Sequence, residues 1–130
     1  MGYRSIVGLV LTKHGIDVLH HRLEDLSLNS ELREEVNDLF ERADKHYVDV
    51  NTGAEVWYWE WIKWYDFSRE SFLDINFIAE TLVELEEEDY RFIRIGENYD
   101  DMKISGEFWD NPFDFELARS ICLYDIQNNL

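Results

Sequence analysis

The sequence predicts an α+β domain, an antiparallel sheet of about five strands with helices on one face. Three observations lead there. The segments run strand, two helices, strand pair, helix, strand pair; turn-forming residues separate the strands within each pair; and the apolar period switches between about 2 and about 3.6 at each transition. The chain has 130 residues, 45% of them hydrophobic and 15% aromatic, and no Pro/Gly/Ser-rich linker. Residues 1–130 therefore form one domain, large enough to bury a core without covalent staples.

Tyr3 to Thr12 is the first predicted strand. Tyr3, Ser5, Val7, Leu9 and Leu11 share one side and Ile6 and Val10 the other, the two-sided apolar character of a central strand. Thr12 caps a helix in which Ile16, Leu19, Leu23 and Leu26 recur at three and four. Ser27 to Ser30 is a break, and Ser30 caps a second helix with Leu32, Val36, Leu39, Phe40 and Ala43 along one side. Tyr47 to Val50 and Ala54 to Tyr65 flank the turn-prone Asn51-Thr52-Gly53 and read as a hairpin. Asp66 or Ser68 starts the next helix, whose wide apolar face runs through Phe72, Ile75, Ile78, Ala79, Leu82 and Leu85. Tyr90 to Ile95 and Met102 to Phe108, joined by a turn over Gly96 to Asp101, make the last hairpin, and Asn111-Pro112 stops its pairing. Phe113 to Leu123 is expected as a short helix or irregular cover, and Gln127 to Leu130 as a frayed end. This order is the split βαβ arrangement of ferredoxin-like domains, extended by one strand.

Six of the eleven residues in EVWYWEWIKWY, Glu55 to Tyr65, are aromatic. Strand alternation sends Trp57, Trp59 and Trp61 to one face and Val56, Tyr58, Ile62 and Trp64 to the other, so both faces are apolar. With helices on one side only, the second face needs another cover, for which Phe108, Trp109, Phe113 and Phe115 are the local candidates. The alternative is that one row seats a partner, including a second copy of the chain, since Trp and Tyr commonly anchor interfaces.

Charge limits the partners. Twelve basic against 29 acidic residues give a formal net charge of −17, and the stretch from Glu80 to Glu116 holds thirteen acidic residues against three basic ones. Such a field repels nucleic acid and anionic membranes and attracts basic proteins. Base stacking on the aromatic strand is disfavoured for the same reason, because stacking platforms work beside positive grooves. The apolar run Ile6 to Leu11 is far shorter than the roughly 20 residues that span a bilayer, and it lacks the flanks of a secretory signal. The lone Cys122 forms no internal disulfide. Both features lead to the expectation of a cytoplasmic protein.

Catalytic chemistry finds little purchase. His20 with Glu24, or His21 with Asp25, share a helix face at a spacing of four, which supplies two metal ligands where three or four are needed. Asn98-Tyr99-Asp100-Asp101 lacks the alternating ligands and closing Glu of a calcium loop and reads as a solvated turn. No Ser lies in a nucleophile elbow and there is no Gly-rich phosphate loop. Neither a cofactor nor a metal site is expected. A small metal-assisted hydrolase using His20, His21 and the acidic turn is the rival reading, and a self-assembling structural protein is a third.

The segments Met1-Gly2-Tyr3-Arg4-Ser5, Trp59-Glu60-Trp61-Ile62-Lys63-Trp64-Tyr65 and Glu86-Glu87-Glu88-Asp89-Tyr90-Arg91-Phe92-Ile93-Arg94-Ile95-Gly96-Glu97 resemble small acidic, mostly uncharacterised proteins of bacteriophages and prophages. The resemblance implies an accessory protein that binds and disables a host protein, CRISPR effectors and other defence systems included. Carboxylates also imitate nucleic-acid phosphates and can occupy a basic groove. The expected function is therefore a non-catalytic inhibitor of a host protein with a basic surface. Glu84, Glu86, Glu87, Glu88, Asp89, Glu97, Asp100 and Asp101 would supply charge, with Trp57, Trp59 and Trp61 as possible anchors.

Overall fold

The computed structural model describes residues 3–26, 30–65, 73–98, 100–108 and 112–113. In chain order these form β1 (Ser5–Leu11), α1 (Lys13–Glu24), α2 (Glu31–Glu41), β2 (Lys45–Val48), β3 (Glu55–Ile62), α3 (Leu73–Glu84), a 3₁₀ turn (Glu87–Asp89), β4 (Tyr90–Gly96) and β5 (Met102–Ser105). The strands build one sheet in the order β2-β3-β1-β4-β5, and every neighbouring pair is antiparallel. Strands β1 and β2 are thus mutually parallel with β3 inserted between them, and β3 and β4 are parallel with β1 inserted. Two split βαβ units interleave, and β5 extends the sheet at the β4 edge, so the predicted α+β class and its ferredoxin-like order describe the molecule.

The helix caps follow the local chemistry. Thr12 Oγ1 accepts from the Gly15 backbone N–H at 3.1 Å, and Ser30 Oγ accepts from that of Arg33 at 3.3 Å, each satisfying a donor that the first helical turn leaves open. The buried apolar side chains of α1, Ile16, Leu19 and Leu23, keep the predicted spacing of three and four, with Gly15 buried beside them. Helix α3 packs against both α1 and α2, so Phe77 and Thr81 are buried beside the expected Ile75, Ile78 and Leu82. Arg22 of α1 explains that extra burial. It donates to the Phe77 carbonyl and to Thr81 Oγ1, lies over the Phe77 ring at 4.5 Å, and reaches Glu80 and Glu84 at its outer edge.

Several boundaries differ from the sequence reading. Strand β2 ends at Val48 rather than Val50, because Asp49 Oδ2 accepts both the backbone N–H and the hydroxyl of Thr52. The hairpin turn therefore starts two residues early. Strand β5 stops at Ser105 rather than Phe108, where Gly106 takes a φ of 84°. The proposed starts of α3 at Asp66 or Ser68, the break at residues 27–29, and the segment beyond Phe113 lie outside the described residues.

The main core lies between sheet and helices. Val7, Leu9 and Leu11 of β1, Trp57 and Trp59 of β3, and Tyr90 and Phe92 of β4 meet the helical stripes there. On the opposite face a smaller cluster of Val10, Val56 and Ile93 is covered by Phe108 and Phe113, two of the four covering residues expected; Trp109 and Phe115 lie outside the described residues. Among the described residues no helix is long and apolar enough to cross a membrane.

The facing assignment of β3 needs correction. Ser5 pairs with Ile62 while Val7 pairs with Trp59, so two steps along β1 match three along β3. The extra residue is a bulge that reverses the alternation. Ile62 and Trp64 consequently join Trp57 and Trp59 on the helical side, where Trp64 packs at 5.3 Å from Trp59 and 5.8 Å from Phe92.

Candidate functional site

The three tryptophans offered as anchors have separate fates. Trp59 is 2% exposed and its indole N–H donates to the Leu39 carbonyl at 2.9 Å. Trp57 is 7% exposed and packs against the tilted ring of Phe40 at 4.8 Å and the stacked ring of His46 at 5.1 Å. Both are committed to packing and offer no face to an incoming protein or a second copy. Trp61, 55% exposed, stands beyond the cover of the helices because the bulge falls beside it.

The acidic residues do not form one patch. Glu84 to Asp89 precede β4 and Glu97 to Asp101 follow it. A strand of seven residues rises by about 3.3 Å per residue, so these groups sit roughly 20 Å apart at opposite ends of the sheet.

At the far end, Asp101 is neutralised. Its Oδ1 accepts from Arg94 Nη2 at 2.9 Å and its Oδ2 from Arg94 Nη1 at 3.1 Å, a two-pronged pair, and the Tyr3 hydroxyl donates to Oδ2 at 2.6 Å. Arg94 first and Tyr3 second hold the carboxyl down at about 2. Glu97 accepts from the Arg4 backbone N–H at 2.7 Å, tying the chain ahead of β1 to the turn after β4. Asp100 remains exposed. The sign of the Asp101 effect follows from its depressed folded-state pKa. Its stabilisation is complete above the unfolded value near 4 and disappears as pH falls through about 2. Denaturant titrations of Asp101→Asn are expected to show a flatter fall in stability from pH 4 to pH 2 than the unmodified chain; parallel curves would contradict the pairing.

At the near end two members are likewise occupied. Glu84 pairs with Arg22 Nε at 3.4 Å. Asp89 fastens the start of α1 to the start of β4: its Oδ1 accepts from the Thr12 hydroxyl at 2.9 Å and its carbonyl from the Thr12 N–H at 3.0 Å. Glu86, Glu87 and Glu88 are exposed, and none joins an ion pair among the described residues. Glu107 joins them, its backbone N–H donating to the Glu87 carbonyl at 2.5 Å. The sequence reading omitted Glu107 from the site. The last hairpin held the signal, since the pairing of Phe92 with Ser105 carries residue 107 back opposite the start of β4. Four exposed carboxylates thus gather on a frame fixed by Asp89, Thr12 and β4.

Searches among protein-family descriptions, curated proteins and solved structures found no match to this chain. Function must therefore be argued from the site.

Among the described residues no three His, Cys, Asp or Glu side chains are grouped to hold a metal ion. His20 is exposed on α1, and His21 is exposed with its Nδ1 3.9 Å from Glu24. His46 stacks on Trp57 and meets Glu55 at 2.7 Å. The residues named for a hydrolase therefore do not converge. Cys122 lies outside the described residues.

Proposed function

We propose that this protein is a non-catalytic inhibitor that binds the basic, nucleic-acid-binding surface of another protein, in the manner of a phage accessory protein acting on a host defence or CRISPR effector. The observation that carries the reading is the set Glu86, Glu87, Glu88 and Glu107, four exposed carboxylates without ion-pair partners among the described residues. They are held together by the Glu107 to Glu87 backbone bond on a chain of net charge −17. Four like charges carried on adjoining backbone make a negative patch that a cationic partner neutralises. Phosphates along a nucleic acid present the same pattern, so such a surface competes for the same groove. The acidic turn at the other end of the sheet contributes only Glu97 and Asp100, since Asp101 is already neutralised by Arg94.

The test is capture of host proteins on the immobilised chain at low and at high salt, beside the variant E86Q/E87Q/E88Q/E107Q. The reading expects a partner that binds nucleic acid, that added DNA or RNA displaces, and whose association slows by about 10- to 100-fold in the variant. A partner retained equally by the variant and at high salt would sink it.

A further inference from the structure

In so acidic a chain, cations are expected to find carboxylates. The side chains of Arg4, Arg42 and Lys63 do not: none forms an ion pair among the described residues, although the Arg4 backbone N–H donates to Glu97, yet all three line one cleft of about 560 Å³. Arg4 precedes β1, Arg42 caps the C-terminus of α2, and Lys63 follows β3, so only the fold brings them together. The two carboxylates in the same cleft are turned to backbone instead. Asp44 Oδ2 accepts from the Glu60 N–H at 2.7 Å and Asp74 Oδ1 from the Ile75 N–H at 2.9 Å.

The rest of the lining limits what those cations meet. The floor is apolar, formed by Trp59 and Ile75, and Trp61 stands in the wall with more than half its surface free. An exposed indole in the same cleft as three cations is the arrangement that stacks a base and holds its phosphate, and the cleft falls within the roughly 300–1,000 Å³ of small-ligand sites. Charge sets the size of the ligand. Arg42 also borders a flank carrying Glu35, Asp38 and Glu41, which opposes a polyphosphate, and any further phosphate of a polymer would enter the field of a −17 chain.

We propose that this cleft binds a nucleoside monophosphate, with the phosphate at Arg4, Arg42 and Lys63 and the base against Trp61. Asp44 and Asp74 keep one carboxylate oxygen each for the hydroxyls or amino group of the ligand. The site is separate from the Glu86 to Glu88 and Glu107 surface, so either assignment can fail alone.

Calorimetry and tryptophan fluorescence with the four 5′-ribonucleoside monophosphates, adenosine, inorganic phosphate and a single-stranded hexanucleotide test it. At least one monophosphate is expected to bind with Kd below about 1 mM, with adenosine, phosphate and the hexanucleotide each about tenfold weaker or worse. Arg42→Gln and Lys63→Gln should each weaken binding about tenfold. Trp61→Ala should do the same while Trp61→Phe retains it, and E86Q/E87Q/E88Q/E107Q should leave it intact. Thermal unfolding of each variant verifies that the fold persists; all three positions are at the surface rim. No binding by any monophosphate, phosphate binding as tightly as the nucleotides, or affinity unchanged in both Arg42→Gln and Lys63→Gln would overturn the assignment.

Discussion

Trp59→Ala is expected to destabilise the protein by about 3–5 kcal/mol, because deleting a buried indole leaves a cavity that the surroundings fill only in part. The loss is compounded by the Leu39 carbonyl, which loses its indole donor at the end of α2. Trp59 also supports Phe40 at 6.0 Å and Trp64 at 5.3 Å, so its removal loosens α2 and the strand beyond the bulge together. A domain of this size has only about 5–15 kcal/mol to lose. Urea unfolding should place the midpoint of Trp59→Ala far below the parent, with Trp59→Phe between them because it loses the hydrogen bond and only part of the ring volume. Trp61→Ala should stay within about 0.5 kcal/mol, as surface changes do. Equal midpoints for the Trp59 and Trp61 variants would refute the placement of the two rings.

Gly106→Ala carries the second large effect. Gly106 has a φ of +84°, and a methyl group there would lie 2.1 Å from the Tyr90 carbonyl oxygen and 2.7 Å from Tyr90 Cδ2. That carbonyl accepts the Phe108 N–H at 3.1 Å, and the Gly106 carbonyl itself accepts from Arg91 Nη1 at 2.9 Å. Relief of the clash therefore costs contacts that lead Phe108 over the second sheet face. With the left-handed penalty added, the expected loss is about 2–4 kcal/mol. Gly53→Ala is the control: its φ is +79°, but the nearest atoms belong to the flexible Lys13 side chain at 3.1–3.3 Å. There the expected loss is only about 1 kcal/mol. Calorimetric melting of the two variants checks the order; equal losses would show that the Tyr90 contact is absent.

Features that depend on neighbours in the chain were legible in advance. Thr12 and Ser30 cap their helices by bonding N–H groups three residues on. The stripe Ile16, Leu19 and Leu23 was plain from its period, as were the turn residues Asn51 to Gly53 and the overall charge. Element order then leaves few ways to build an antiparallel sheet, which is why the interleaved topology could be anticipated. Phe77 and Thr81 were missed because their burial depends on Arg22, 55 and 59 residues away in sequence.

By itself, then, the sequence determined helices α1 to α3, the caps of α1 and α2, the presence of two hairpins, the α+β class and the acidity, all consequences of contacts within a few residues or of composition. Tertiary structure alone decided where the charges and rings face. The bulge in β3 arises from pairing with β1, and no period within Glu55 to Tyr65 announces that Ile62 and Trp64 will turn inward while Trp61 stays out. Likewise the acidic run is divided by the length of β4, Asp101 is claimed by Arg94, and Glu107 is delivered to Glu87 by strand pairing. Arg4, Arg42 and Lys63 come to line one cleft only in three dimensions. Hydrogen bonds between distant strands select the register, and the register selects each side chain's surroundings.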